Sequence, residues 1–570
     1  MFKVKSFDVN HPNPIFYRKS YTILNGIWDF CFDKNNKGEK QEYFKQFPEP
    51  LKINVPFAYN TPQSGINEKK IINRVWYKKE IEINSLEKDY ILHFEGVDYL
   101  SKLYINGEYV MSFKGAYIRH SANITKFLSI GTNSIVLSVY DSLSTKQPRG
   151  KQRFLKKNFM CWYEETTGIY KDVWLEEVPK NYIESFHITP NRDTKTVDLG
   201  LKFNGINDNL TVNIYYKDEK ISSNVYKVSD TIIDLSIKLK EIEEWNVLDP
   251  KLYDIEFIYG DDVVLSYFAF RSLKAENKKV YLNDKELYQK LVLDQGYFNE
   301  SLLTPSSPSD LFKDIDLSIE FGFNGARKHQ KREDDRYYAY ADMMGFILWA
   351  EMPSAYKANN KAYENLRYEW EIIVNELYNH PSIICWTPIN ESWGVYLINK
   401  KKKERDFVNS MYDLTKSIDP YRFCLTNDGW EHTKSDFLTI HLYSQDRDEL
   451  NEWINIALNK GIVKSLLPYK YHTYVKGFKY NDEPIIISEF GGTAYASDKS
   501  KDWGYGKSVM SDEEYINRLT SLFNTLKNVE EVSGYCYTQI TDVRQEINGL
   551  LTMDRTPKVN PEIIKSIQER

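Results

Sequence analysis

Hydrophobic and polar positions follow two periods along the chain, and the change between them divides it. Up to about residue 275 the period is two. Ile135, Leu137 and Val139 alternate with Ser134, Val136 and Ser138, the pattern of a half-buried strand. Asn106-Gly107 separates Leu103-Tyr-Ile105 from Tyr109-Val-Met111, a strong hairpin signal. Short strands with regular turn signals predict a jelly-roll sandwich over residues 1–180. Leu210–Tyr216 alternates again, and Ile233, Leu235, Ile237 and Leu239 keep one face apolar. Residues 181–275 therefore predict an immunoglobulin-like β-sandwich. No internal repeat or low-complexity linker separates these blocks.

From about residue 276 short apolar runs alternate with helical periodicity. Ser307-Pro-Ser-Asp310 reads as a helix start, Leu311, Ile315 and Ile319 as its face, and Gly322 as its stop. Tyr363, Leu366, Trp370, Ile373, Val374 and Leu377 mark an amphipathic helix. Phe407, Met411 and Leu414 mark another, and Ser511 with Glu514 form a capping-box pattern before a third. Eight strands are predicted at 290–294, 323–329, 346–351, 382–387, 422–426, 437–442, 484–489 and 534–539. That alternation predicts a C-terminal (β/α)8 TIM barrel over residues 276–570.

Composition excludes more than it assigns. The 570 residues carry 75 Lys and Arg against 81 Asp and Glu, a net of −6, with no basic stripe for nucleic acid. No run reaches membrane-spanning length, and Met1–Ser6 lacks the apolar core of a signal peptide. Five scattered cysteines without a C-x-x-C pair fit a reducing compartment, so a cytoplasmic protein is expected. Aromatics reach 15%, which large β-rich cores absorb, leaving those at strand ends as sugar-stacking faces.

The chemistry is concentrated at strand ends. Ser382-Ile-Ile-Cys-Trp-Thr-Pro-Ile-Asn-Glu391 is a buried strand that ends on Asn390 and Glu391, and Pro484-Ile-Ile-Ile-Ser-Glu489 repeats that grammar. Parallel barrels put such ends on the catalytic face. A carboxylate there needs water, a partner or a ligand. Two carboxyl groups about 5 Å apart are what retaining glycoside hydrolysis needs. Arg327 could hold one of them ionised, while His329, His441, Tyr443 and Asn390 could meet sugar hydroxyls. Asp294 ends the first strand, and Asn427, Asp428 and Glu431 form a polar loop after the fifth. Trp393 is a candidate stacking face, as are Trp430 and Trp503, whereas Trp386 reads as core. In the first β block, Asn60–Ile66, Arg149–Arg153 and Trp162–Gly168 are candidate site-lining loops, with Trp162 and Glu164 the side chains of interest. No cluster has metal-ligand spacing, so no metal and no cofactor are expected. The partner expected is a carbohydrate, and the sequence leaves a homo-oligomer open.

Several motifs resemble glycoside hydrolase family 2 across nearly the whole chain. In the barrel they are Gly322-Phe-Asn-Gly-Ala-Arg-Lys-His329, Asp342–Pro353, Asn379–Trp386, Asn390-Glu391 and Pro484–Gly491. In the β blocks they are Asn25–Asp29, Phe94–Asp98, Tyr104–Gly107 and Thr167–Trp174. The resemblance implies Glu391 as acid/base and Glu489 as nucleophile. It departs at Leu293–Glu300, where many members carry Asn-Arg-His-Glu/Asp. It departs again at Glu546–Arg555, where family glucuronidases carry an Asn-x-Lys-Gly that holds the sugar carboxylate. Asn35-Asn-Lys-Gly38 has those letters in the first β block, between strands. Without the cation a neutral, β-linked terminal sugar is expected, a β-galactoside first. An α-L-arabinofuranosidase, β-galactofuranosidase or β-mannosidase-like specificity is the alternative, and a non-catalytic carbohydrate-binding protein is the competing class.

Overall fold

The computed structural model describes residues 4–206, 208–465, 470–495 and 502–569. Residues 21–178 form two facing antiparallel sheets. One has four strands in the order Tyr21–Ile23, Val173–Val178, Asp89–Phe94, His120–Asn123. The other has six, in the order Leu51–Val55, Gly26–Phe32, Arg74–Ile83, Gly131–Tyr140, Leu100–Ile105, Glu108–Lys114. Trp28, Phe30, Tyr77, Leu92, Leu137 and Val173 fill the space between. Asn106 (φ 51°) and Gly107 (φ 80°) make the expected hairpin turn, both left-handed as a type I′ turn requires. The strand through Ile135 is buried on both faces rather than one, because Trp76, Tyr104 and Val136 are covered by Tyr43, Phe44 and Phe47.

A second sandwich follows. A three-stranded sheet (Tyr182–Asn191, Thr196–Asn204, Ile232–Lys238) faces a four-stranded one (Glu219–Lys227, Asn209–Tyr216, Tyr253–Tyr259, Asp262–Phe268). Phe186, Leu199, Val212, Phe257 and Phe268 form its separate core.

The rest of the chain is an eight-stranded parallel barrel. Its strands are β1 (Gln289–Asp294), β2 (Gly325–Lys328), β3 (Ile347–Glu351), β4 (Ile383–Thr387), β5 (Phe423–Cys424), β6 (Leu438–Leu442), β7 (Ile485–Gly491) and β8 (Val532–Thr538). Ladders run from β5 back through β1 to β8, β7 and β6. Between β5 and β6 the seam is made by Asp436, whose N–H donates to the Cys424 carbonyl at 3.0 Å and whose carboxylate accepts the Cys424 N–H at 2.8 Å. Helices α1 (Asp310–Glu320), α2 (Asp335–Met344), α3 (Asn360–Leu377), α4 (Lys402–Ile418), α5 (Arg447–Lys460), α6 (Asp512–Lys527) and α7 (Pro561–Glu569) pack around it.

Ser511 caps α6 as the sequence implies, whereas α1 starts later than Ser307-Pro308 suggests: its cap position is Ser309, which makes no side-chain cap bond. Asp310 accepts the Ser307 N–H at 3.0 Å, and Ser511 accepts the Glu514 N–H at 3.2 Å. Glu514 reaches back to the N–H of Met510 rather than Ser511. The hydrophobic pattern does not mark α5 or α7. In α5 only Leu450, Ile454 and Ala457 are buried, a face too sparse to stand out.

Both β units dock on the barrel through buried polar groups. Glu95 of the first accepts from Arg119 at 2.7 Å and from Arg332 of the barrel. Arg336 reaches Asp172 at 2.6 Å, and Lys171 donates to the Arg332 and Glu333 carbonyls at 3.0 and 2.8 Å. From the second unit, Tyr267 donates to Asp342 at 2.6 Å and Arg271 to the Pro381 carbonyl at 2.6 Å. The first contacts follow the C-terminal end of β2, which sets the first β unit over the barrel mouth.

Candidate active site

Past β4 the backbone makes an unusual turn. Asn390 bridges Asp428; the Glu391 N–H donates to the Asp428 carbonyl at 3.0 Å and the Asp428 N–H to Ile389 at 2.9 Å. Glu391 (φ 50°) and Ser392 (φ 57°) are then both left-handed. That conformation costs roughly 1–2 kcal/mol per non-glycine residue and must be held from outside. Asn427 holds it: its side-chain oxygen accepts the Ser392 N–H at 2.8 Å, and its amide donates to Ser392 Oγ at 2.9 Å and the Trp430 carbonyl at 2.7 Å. Ser392 Oγ donates in turn to Glu431 at 2.9 Å. Asn427 and Glu431 thus brace the turn that aims Glu391, and burial raises the Glu431 carboxyl above its ordinary range.

Glu489, on β7, faces Glu391. The donor atoms of Glu391, His441 and Glu489 all lie within 4.8 Å of one another. Arg327, fully buried at the end of β2, donates to Glu489 Oε1 at 3.0 Å and to Glu351 at 2.9 Å, with Asp428 Oδ2 2.6 Å away. Tyr443 donates to Glu489 Oε2, and its ring stacks on Tyr505 with centroids 3.5 Å apart. Burial alone would raise the Glu489 carboxyl, but His441, Arg327, His329 and the Tyr443 hydroxyl hold it well below the usual carboxylate range.

His441 sits between the pair, with Nδ1 2.8 Å from Glu391 Oε1 and 3.4 Å from Glu489 Oε2, and Nε2 3.5 Å from Asp428 Oδ2. Burial would lower the imidazole, but Glu489, Asp428 and Glu391 outweigh it and push it up to about 10. The ring is therefore cationic at neutral pH. Glu391, His441 and Glu489 could together ligate a metal ion only after His441 gave up its proton. Asp428 is likewise held low: burial opposes ionisation, and Arg327, His441 and the Ser488 hydroxyl overcome it.

Asn390 is buried, with its side-chain oxygen 3.2 Å from Arg327 and its amide nitrogen without a partner among the described residues. His329 is committed to Glu351 at 3.1 Å and lies tilted against Trp393, centroids 6.4 Å apart. Trp393 contacts Tyr356 and Trp162, each at 5.6 Å, so a ring from the first β unit meets one from the barrel beside Glu391. Trp503 and Gln545 donate to the Met160 carbonyl at 2.9 and 2.7 Å, tying the same wall to loops after β7 and β8. Lys151 projects into this wall, its ammonium 4.7 Å from the Trp393 ring centroid.

Other expected residues stand elsewhere. Asp294 is bound by Lys328 at 2.8 Å and Tyr337 at 3.0 Å, an ion pair behind β1 and β2. Glu164 pairs with Arg544 at 3.2 Å, which makes it a clasp between units. In the Asn60–Ile66 loop, Asn60 donates to the Glu165 carbonyl at 2.8 Å and Gln63 to Ser306 at 2.6 Å, so this loop supports its neighbour. Trp430 stacks on Tyr471 at 4.1 Å with its edge to His441, and Trp386 is core. The sequence pattern does not single out Glu351, Lys151, Tyr505 or Glu546. Glu351 ends β3 in the same grammar as Glu391 and could have been found. The others reach the site only through folding.

Two family models match the chain: "Glycosyl hydrolases family 2, sugar binding domain" over residues 21–179 and "Glycosyl hydrolases family 2, TIM barrel domain" over residues 273–570. The chain belongs to glycosyl hydrolase family 2. A β-glucuronidase of Streptococcus agalactiae is 22% identical, with 96% of this chain and 95% of that protein covered. A β-galactosidase of Thermoanaerobacterium thermosulfurigenes is 26% identical, with 83% and 64% covered. A putative β-glucuronidase of Formosa agariphila is 28% identical, with 65% and 46% covered, so the chain spans about half of that relative's length. Among solved structures, the Ruminococcus gnavus β-glucuronidase superposes with a TM-score of 0.79 at 18% identity, covering 96% of this chain and 98% of that one. No helix among the described residues is long and apolar enough to cross a membrane.

Proposed function

We propose that the chain is a retaining, exo-acting glycosidase that releases a terminal β-linked sugar by double displacement. Glu489 attacks the anomeric carbon while Glu391 protonates the departing oxygen. Glu391 then takes a proton from water, which hydrolyses the glycosyl-enzyme ester. The observation that carries this reading is the approach of the two carboxylates, within 4.8 Å by their closest pairing. Retaining sites have about 5–5.5 Å between the groups, and inverting sites about 6.5–9.5 Å to admit a water.

The surroundings support the assignment of roles. Arg327, Tyr443 and cationic His441 all favour ionised Glu489, as a nucleophile requires. The unpartnered amide of Asn390 is placed to meet a sugar hydroxyl. The wall of Trp162, Trp393 and Tyr356 supports an exo mode, since it closes the mouth on one side. The β-linkage follows the names of the relatives. Both carboxylates are present and oriented, which favours turnover over a binding protein. A neutral sugar follows from a site without a cation, and the Lys151 ammonium removes that premise. A β-galactoside and a β-glucuronide differ in charge at C6, so the sugar turns on that residue.

The test is a panel of 4-nitrophenyl pyranosides and furanosides, with the first-formed anomer of the best substrate read by proton NMR. Hydrolysis with the β-anomer appearing first is expected. Release of the α-anomer first would exclude retention, and silence on the whole panel would favour the binding protein.

A further inference from the structure

We infer that Lys151 recognises a carboxylate on the terminal sugar, so that the first β unit, rather than the barrel, makes the site select glycosides of sugar acids. This rests on the glycosidase reading and adds to it the charge of the substrate.

The loop around Lys151 is built to hold it in place. Arg149 and Gly150 donate backbone N–H groups to the Ser354 carbonyl at 2.9 and 3.2 Å. Tyr117 donates to the Arg149 carbonyl at 2.8 Å, and the Tyr163 N–H to the Lys151 carbonyl at 2.9 Å. Gly150 has φ 56°, and a Cβ there would lie 2.2 Å from the Gln330 carbonyl oxygen. Only glycine allows that approach, so the backbone is seated against the barrel immediately before Lys151.

Lys151 is 6% exposed. Its ammonium lies over Trp393 at 4.7 Å and Trp162 at 5.9 Å, with the Cys161 thiol as hydrogen-bonding neighbour. Among the described residues no carboxylate comes within ion-pair distance of it. Burial alone would lower its pKa, but Cys161, Glu546, Glu489 and Glu391 raise it, so the charge is retained.

Those carboxylates already have donors of their own. Glu489 has Arg327 and Tyr443, Glu391 has His441, and Glu546 has Tyr163 and Asn548. Aromatic faces attract a cation but do not replace its lost hydration. A buried charge in that position is costly until an anion meets it. A sugar hydroxyl can accept one hydrogen bond but leaves the charge uncompensated. A carboxylate on the sugar satisfies both, and the other cations of the site, Arg327 and His441, are already engaged by Glu489, Glu351, Asp428 and Glu391.

The test uses the full-length protein and the variants Lys151→Met and Lys151→Arg. The substrates are two pairs that differ in charge at C6: 4-nitrophenyl β-D-glucuronide against the β-D-glucoside, and the β-D-galacturonide against the β-D-galactoside. The wild type should favour the acid in at least one pair. Lys151→Met should lower that acid-to-neutral ratio of kcat/KM about 100-fold or more. Lys151→Arg, which keeps the charge, should retain most of it. A wild type that favours the neutral sugar in both pairs would overturn the inference, as would an equal loss on both substrates in Lys151→Met. If no glycoside is turned over, the glycosidase reading fails on its own, and calorimetry with free glucuronate and galacturonate against glucose and galactose still decides Lys151. Tighter binding of an acid, lost in Lys151→Met, would uphold the assignment, and indifference to charge would refute it.

Discussion

His441 Nδ1 lies 2.8 Å from Glu391 Oε1, and the same nitrogen is 3.4 Å from Glu489. One buried cation therefore stands between Glu391 and Glu489, where it screens each carboxylate from the other. Replacing it with a neutral group leaves two acids within 4.8 Å of each other with no cation between them. His441→Gln should lower kcat/KM about 100-fold, in line with losing a buried charge-assisted hydrogen bond.

The same residue gives a pH dependence with a definite sign. The imidazole is pushed from 6.5 up to about 10 in the fold. Its contribution to stability is thus complete below the unfolded value, near 6.5, and is lost as pH rises through about 10. The melting temperature of the wild type should fall across that window more steeply than that of His441→Gln. Parallel curves would remove the cation from this account. On the acid side Glu489 acts in the opposite sense, because its depressed pKa contributes stability that fades as pH falls below the usual carboxylate range.

Arg327 has a fork that Lys cannot copy. It meets Glu489, Glu351 and Asn390 from one guanidinium, with Asp428 2.6 Å away. The point charge of a lysine ammonium would reach one or two of these. Arg327→Lys should reduce kcat on the order of 1,000-fold and lower the melting temperature, because buried carboxylates lose their partner. Unchanged kcat would show that Glu489 does not depend on Arg327.

The alternation of short apolar runs with amphipathic helices made the barrel legible, since strands buried on both faces must be apolar throughout. Glu391 and Glu489 were legible for the same reason: a carboxylate that closes a buried run stands out. Other features depend on distant chain segments meeting. Asn427 and Glu431 read as sugar contacts, yet the left-handed turn at Glu391 and Ser392 gives them a bracing task that no local pattern announces. Asp294 looks like Glu391 in sequence, but Lys328 and Tyr337 take it away from the pocket. Lys151 lay within a loop marked as site-lining, yet its burial against Trp393 comes only from the docking of one unit on another.

Glu391→Gln should show a leaving-group signature. Activated aryl glycosides need little protonation, so their glycosylation should survive while natural aglycones become poor substrates. Added azide should restore turnover and yield a glycosyl azide, because a small anion can replace the missing base. Equal loss on both substrate types, without rescue, would remove Glu391 from the acid/base role.

Trp162 comes from the first β unit and packs against Trp393 at 5.6 Å and Phe159 at 4.9 Å. Trp162→Ala should raise KM about ten-fold or shift aglycone preference, while the melting temperature changes little, since the ring is only partly buried. A large stability loss with KM unchanged would make the residue a packing element alone.

If Glu489 forms a covalent bond to the sugar, the glycosyl-enzyme can be trapped. A 2-deoxy-2-fluoro glycoside of the best substrate, carrying an activated leaving group, should inactivate the protein with one sugar bound per chain. Peptide mass spectrometry should then place the added mass on Glu489. Mass on a different carboxylate, or turnover of the best substrate with no adduct at any time, would contradict the account.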